Sequence, residues 1–216
     1  LLGRLPLAAL GWANALASGL MLGVAYALMT EGLADGVVRG AVGALLGVAF
    51  VRLSHLGTGT EDLDLNALDE LSPEYGYQVV LVNTLHAGSE GVAIGVAMLV
   101  SAPFGLSMAL ALGVHNIPEA MVLTSILAGR GVSLPHAAAL AVATNLNQVL
   151  LAVVTFAVVG AAPALLPWAL GFAVGALLYL VLAELLPESY RQAGHTSIAV
   201  VTLVAMGIVV ALVGAP

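Results

Sequence analysis

Hydrophobic positions fall into seven long runs, at about 5–30, 37–54, 77–100, 104–129, 135–160, 164–190 and 196–214. A helix needs ~20 apolar residues to cross the hydrocarbon core of a bilayer, and each run is of that order or longer. The breaks between runs carry turn chemistry: Asp35-Gly36, Ala102-Pro103, Gly129-Arg130-Gly131 ahead of Pro135, and Ala161-Ala162-Pro163. The pattern predicts an all-α polytopic membrane helix bundle, with residues 1–216 forming a single transmembrane domain. The one longer polar connection, 55–76, is acidic.

Composition agrees with the pattern. Hydrophobic residues make up 61% of the chain and charged residues 8%, and mean hydropathy is +1.10. Soluble domains carry about 25% charged residues, so this is an integral membrane protein whose first partner is the lipid bilayer. Cysteine is absent, which excludes disulfides, thiolate metal sites and cysteine catalysis. The net charge of −7 is concentrated rather than spread, because Glu61, Asp62, Asp64, Asp69, Glu70 and Glu74 crowd into one loop. Such a run reads as a solvated face. Nothing resembles the basic patch that nucleic-acid binding requires.

The five arginines orient the bundle. With seven alternating spans, Arg4, Arg52, Arg130 and Arg191 fall on one side and Arg39 on the other. The positive-inside rule makes the majority side cytoplasmic, and the acidic loop with it. Short loops and the lack of a visible targeting signal point to a bacterial inner membrane.

The chemistry sits inside the runs. The third contains Leu85-His86-Ala87-Gly88-Ser89-Glu90, and the fourth contains Val114-His115-Asn116-Ile117-Pro118-Glu119. Ionisable groups at bilayer depth cost roughly 2.5–3.5 kcal/mol each on insertion scales unless paired, bound to an ion or facing a cavity. Residues four apart share a helix face, so each run projects an imidazole and a carboxylate together. Two nitrogens and two carboxylates suit Zn²⁺ or another first-row divalent ion rather than Mg²⁺ or Ca²⁺. Pro118 cannot donate to the Val114 carbonyl, and Pro187 leaves the Ala183 carbonyl open beside Glu184 in the sixth run.

Other polar positions read as structural. Asn145, Asn147 and Gln148 form a neutral cluster suited to bonding between helices. Asn83, one turn before His86, fits either a polar path or a packing contact. His55, His136 and His195 lie at run ends, where the interface makes a histidine cheap. Gly36, Gly40, Gly43 and Gly47 form a small-residue stripe suited to close packing, within the chain or across a homodimer.

The phrases HNIPEA at 115–120, HAGSEG at 86–91 and AELLPES at 183–189 resemble the ZIP (Zrt/Irt-like protein) family of divalent metal transporters. The resemblance covers essentially the whole chain. It implies a family architecture of eight spans with the first absent here, and a primary metal site from His86, Glu90, His115 and Glu119. Family members with a binuclear centre add an Asn after the first motif His, an Asp in the second motif and a Glu on the seventh helix. Here those positions hold Ala87, Asn116 and Glu184. The resemblance therefore implies one strong site, with Asn116 and Glu184 as an auxiliary polar step.

The expected function is transport of a divalent cation, Zn²⁺ foremost, towards the cytoplasm by alternating access. Other first-row ions or Cd²⁺ would compete at such ligands. The chain is not expected to be an enzyme. An intramembrane metal-dependent hydrolase would need a general base near the metal, yet HExxH is absent and Ala87 spoils a GxSxG elbow. A passive metal channel would share every ligand and differ in kinetics.

Overall fold

The computed structural model describes residues 6–32, 36–60 and 73–213. Most of the acidic loop, and Arg4, lie outside these residues. The helices are α1 (Leu7–Gly32), α2 (Val37–Thr58), α3 (Pro73–Val100), α4 (Ala102–Gly129), α5 (Leu134–Ala143), α6 (Asn145–Ala161), α7 (Leu166–Leu180), α8 (Leu186–Gln192) and α9 (His195–Val213). A 3₁₀ turn, Pro163–Leu165, precedes α7, and a π turn, Val181–Leu185, joins α7 to α8. α5 and α6 run together as one stretch, as do α7 and α8, so seven stretches of the described residues are long and apolar enough to cross a membrane. The chain is a polytopic helical membrane bundle.

Helices α1, α3, α4 and α7 form the interior, while α2, α5–α6 and α9 cover it. Met21, Val24 and Leu28 of α1, Val96 of α3, Met108 and Leu112 of α4 and Leu177 of α7 are buried in one apolar core. A smaller cluster joins Leu10, Val79, Leu123, Ile126, Leu127 and Ala141. Leu146, Val149, Val153, Leu203 and Val204 on the outer helices remain exposed, as lipid-facing side chains should.

Glycine sets how closely the layers approach. A Cβ on Gly43 or Gly47 would overlap the backbone carbonyls of Trp168 or Phe172, and one on Gly171 or Gly175 would overlap those of Gly40 or Ala44. The stripe on α2 is thus spent against α7 of the same chain. Gly91 meets the Gln148 backbone in the same way, which seals α3 to α6.

Two local features differ from the sequence pattern. Hydropathy fades at Ser54, yet α2 continues to Thr58 and closes on Gly59, whose left-handed φ of 66° lets its N–H reach the His55 carbonyl. His55 is therefore a buried residue of the last helical turn. Around Pro187 the sixth span does not stay α-helical: the Leu186 N–H bonds to the Val181 carbonyl, five residues back, and Glu184 lies within that wide turn. Such π turns are frequent at functional sites. By contrast, α4 runs unbroken through Pro118.

Candidate metal centre

Three ligand-bearing side chains converge at the junction of α3 and α4. His115 Nε2 lies 3.2 Å from Glu90 Oε1 and 3.8 Å from Glu119 Oε2. Glu90 and His115 are each 1% exposed. One ligand atom from each of the three residues falls within 4.8 Å of the others. Two carboxylates and an imidazole, desolvated together, are a donor set for a borderline divalent cation.

Three further side chains converge elsewhere on the same cavity wall. His55 Nε2 stands 2.8 Å from Glu184 Oε1, and the His55 and His86 rings lie 5.0 Å apart between centroids. Their ligand atoms also group within 4.8 Å. The His86 Nε2 atom is buried with no hydrogen-bond partner among the described residues.

The four residues expected as one site are thus divided. His86 and Glu90 do share a face of α3, but four residues of helix advance about 6 Å along the axis. Glu90 consequently meets α4, while His86 meets α2 and the π turn. The pair His115 and Glu119 stays together because both side chains lean towards Glu90. Sequence spacing finds the face and leaves the level open.

Asn116 is placed apart from both groups. One residue beyond His115, it is rotated by about 100° around α4 and leaves the ligand face. Its Nδ2 donates to Gln148 Oε1 at 2.7 Å, and its side chain lines a separate hollow with Ala138 and Asn145. Gln148 Nε2 in turn donates to Glu90 Oε2 at 3.0 Å. Asn83 donates to Thr144 Oγ1 and Asn147 to the Thr84 carbonyl. Asn147 and Gln148 of α6 therefore bond between helices, and Gln148 reaches the Glu90 carboxylate, while the buried Asn145 Oδ1 has no hydrogen-bond partner among the described residues. The role of Gln148 had a sequence signal, its place in a polar cluster within an apolar span. The position of His55 opposite Glu184 had none.

Both ligand groups line one cavity of about 470 Å³. Its walls extend from Met21, Glu90 and His115 to Arg52, Thr60 and Arg191 at the ends of α2 and α8. Arg191 is paired with Glu188, which also receives Gln192 Nε2 at 2.5 Å. The cavity thus links buried metal-type ligands to the end of the bundle where the acidic loop leaves α2.

Residues 69–215 match the profile of the family described as ZIP zinc transporter, which covers both ligand-bearing motifs and the π turn. The chain belongs to the ZIP family. This ZIP chain is also 33% identical over 197 residues to the Arabidopsis thaliana protein named "Putative zinc transporter At3g08650". That alignment takes in 88% of this chain and 31% of the plant protein, so the chain spans about a third of its relative's length.

Proposed function

We propose that this ZIP chain carries Zn²⁺, or a first-row ion of similar softness, across a cell membrane towards the cytoplasm by alternating access. The observation that carries the reading is the buried Glu90, His115 and Glu119 group in a cavity that several ionisable side chains line, within an otherwise apolar bundle. Two carboxylates balance the charge of a divalent ion that has shed its water, and His115 supplies the borderline-soft nitrogen. His86, one turn along α3, and Glu184 face the same cavity as further ligands. Asn116 acts through Gln148 rather than on the ion. The direction is read from the arginines: Arg52 and Arg191 border the cavity, and the positive-inside rule supports a cytoplasmic mouth. A bacterial inner membrane fits the short connections.

A hydrolase would need Glu184 as a base beside the Glu90, His115 and Glu119 group, and Glu184 instead faces His55. The test is Zn²⁺ uptake by proteoliposomes containing a Zn²⁺-responsive dye. The native protein should show saturable uptake, and Glu119→Ala and His115→Ala should lose it. Flux that never saturates would replace the carrier with a channel. Uptake by both variants at the native rate would remove the proposed site.

A further inference from the structure

We infer that Asn14 on α1 is a positioning residue for release: its side-chain amide holds water for the cation that leaves the Glu90, His115 and Glu119 group. It rests on the transport reading for the ion that passes; the contact of Asn14 with water stands on geometry.

Asn14, Ala17 and Met21 line the cavity from α1, at the spacing that keeps them on one helix face. A Cβ on Gly11 would press on the Cβ atoms of Gln192 and Ala193, so the start of α1 lies against the end of α8, where Arg191 borders the cavity. Asn14 is about one turn inward from Gly11 and about two turns short of Met21. It therefore stands between the mouth and the ligand group.

The walls of that stretch differ. Towards the mouth, α3 presents Val79 and Val82 before His86, and α4 presents Val122, Leu123 and Ile126 after Glu119. Val79, Val122, Leu123 and Ile126 cluster with Leu10, which sets them level with the first turns of α1. Asn83, the amide on this side, spends its Nδ2 on Thr144 Oγ1. An ion that followed its own ligand helices would run largely against hydrocarbon.

On the facing wall the carboxylates are already matched, Glu184 with His55 and Glu188 with Arg191 and Gln192. Asn14 is not. It is only 4% exposed, yet its side chain bonds to no described residue; its backbone carbonyl alone is engaged, by Ser18 Oγ at 2.7 Å. A buried amide without a partner is costly. One that lines a cavity of about 470 Å³ finds its partner in water.

A divalent ion that gives up two carboxylates and an imidazole has to regain oxygen ligands. The Asn14 Oδ1 accepts from water or turns to the ion, and Nδ2 donates to a second water. Being neutral, the amide orders the incoming shell without adding a charge that would retain the ion.

The chain contains no cysteine, so a single Asn14→Cys reports on water at that position alone. In proteoliposomes with a water-soluble methanethiosulfonate on both faces it should react, because the nucleophile is the thiolate, which forms in water. Leu146→Cys, on the lipid-facing surface, should not. In Asn14→Leu, Zn²⁺ affinity by equilibrium dialysis should stay native, which also shows that the variant has folded. Its maximal rate of Zn²⁺ uptake should fall by about tenfold, and Asn14→Ser should recover most of the loss. An unreactive Asn14→Cys would overturn the contact with water. Native uptake by Asn14→Leu would make Asn14 a packing residue, and a parallel loss of affinity would make its role structural; either result overturns the inference. No uptake by the native protein would overturn the transport reading and the release role with it, whatever the thiol result.

Discussion

Gln148 Nε2 on α6 donates to Glu90 Oε2 on α3 across 3.0 Å, with both side chains buried. The bond is available because Gly91 lets the two backbones meet at Gln148 itself. It leaves the other oxygen, Oε1, turned towards His115. A buried carboxylate needs such a donor, since an unpaired charge there would cost several kcal/mol. Asn116 completes the chain by donating to the oxygen of the same amide.

The first prediction follows from that chain. Gln148→Leu keeps the bulk but frees Glu90 to rotate away from His115. Loss of an outer partner of a metal ligand typically costs 10–100-fold in affinity. Zn²⁺ affinity measured by competition with a chelating dye should fall by about that factor, while Asn116→Leu, one step further out, should lose less. Equal affinity in Gln148→Leu and the native protein would make the amide a packing contact only.

A second prediction concerns pH. Zn²⁺ and protons compete for the lone pairs of Glu90, His115 and Glu119, so binding displaces whatever protons the ligands hold. Affinity must therefore rise with pH through the range in which they titrate, by up to about tenfold per unit for each proton displaced. Acidification should weaken binding, and Glu119→Gln should both lower the affinity and flatten its pH dependence. Zn²⁺ titrations across a pH series would read both effects. An unchanged slope in Glu119→Gln would remove Glu119 from the ligand set.

The third prediction tests the seam that carries His55. Gly47 faces the Phe172 carbonyl and the Ala176 nitrogen with no room for a side chain. Gly47→Val should force α2 away from α7 at an overpacking cost of about 1–3 kcal/mol. It should also draw His55 away from Glu184, which follows α7 in the chain. A lower thermal midpoint in detergent, with slower Zn²⁺ uptake, is the expected result. Gly57→Val, where nothing lies within reach of a Cβ, should leave both unchanged.

The spans, their number and the inward faces of α3 and α4 were legible in the sequence because they depend on local periodicity alone. A helix of lipid-soluble residues shows its polar members plainly, and the four-residue spacing of His86 with Glu90 and of His115 with Glu119 puts each pair on one face. What periodicity cannot carry is height and partner. Whether His86 sits level with His115 or with His55 depends on how far α2 extends and how α7 is seated against it. Those are settled by glycine contacts and by a cap at Gly59, between residues far apart in the chain. His55 lay just past the fall in hydropathy and so looked interfacial; the extra helical turn to Thr58 buried it.

The last prediction turns on Pro187. Its missing N–H leaves the Ala183 carbonyl without an α-helical donor, and the backbone opens into the π turn that holds Glu184. Pro187→Ala restores the donor, and a recovered helical bond is worth roughly 0.5–1.5 kcal/mol. The variant should melt at a higher temperature than the native protein. Closing the turn removes its extra residue, however, which rotates the following segment by about 100° relative to α7. Glu184 would then leave His55 and His86. Stability should rise while Zn²⁺ uptake slows, the trade expected where a less stable turn is kept for what it positions. A Pro187→Ala protein that gains stability and takes up Zn²⁺ at the native rate would show that the π turn is not needed to place Glu184 on the path.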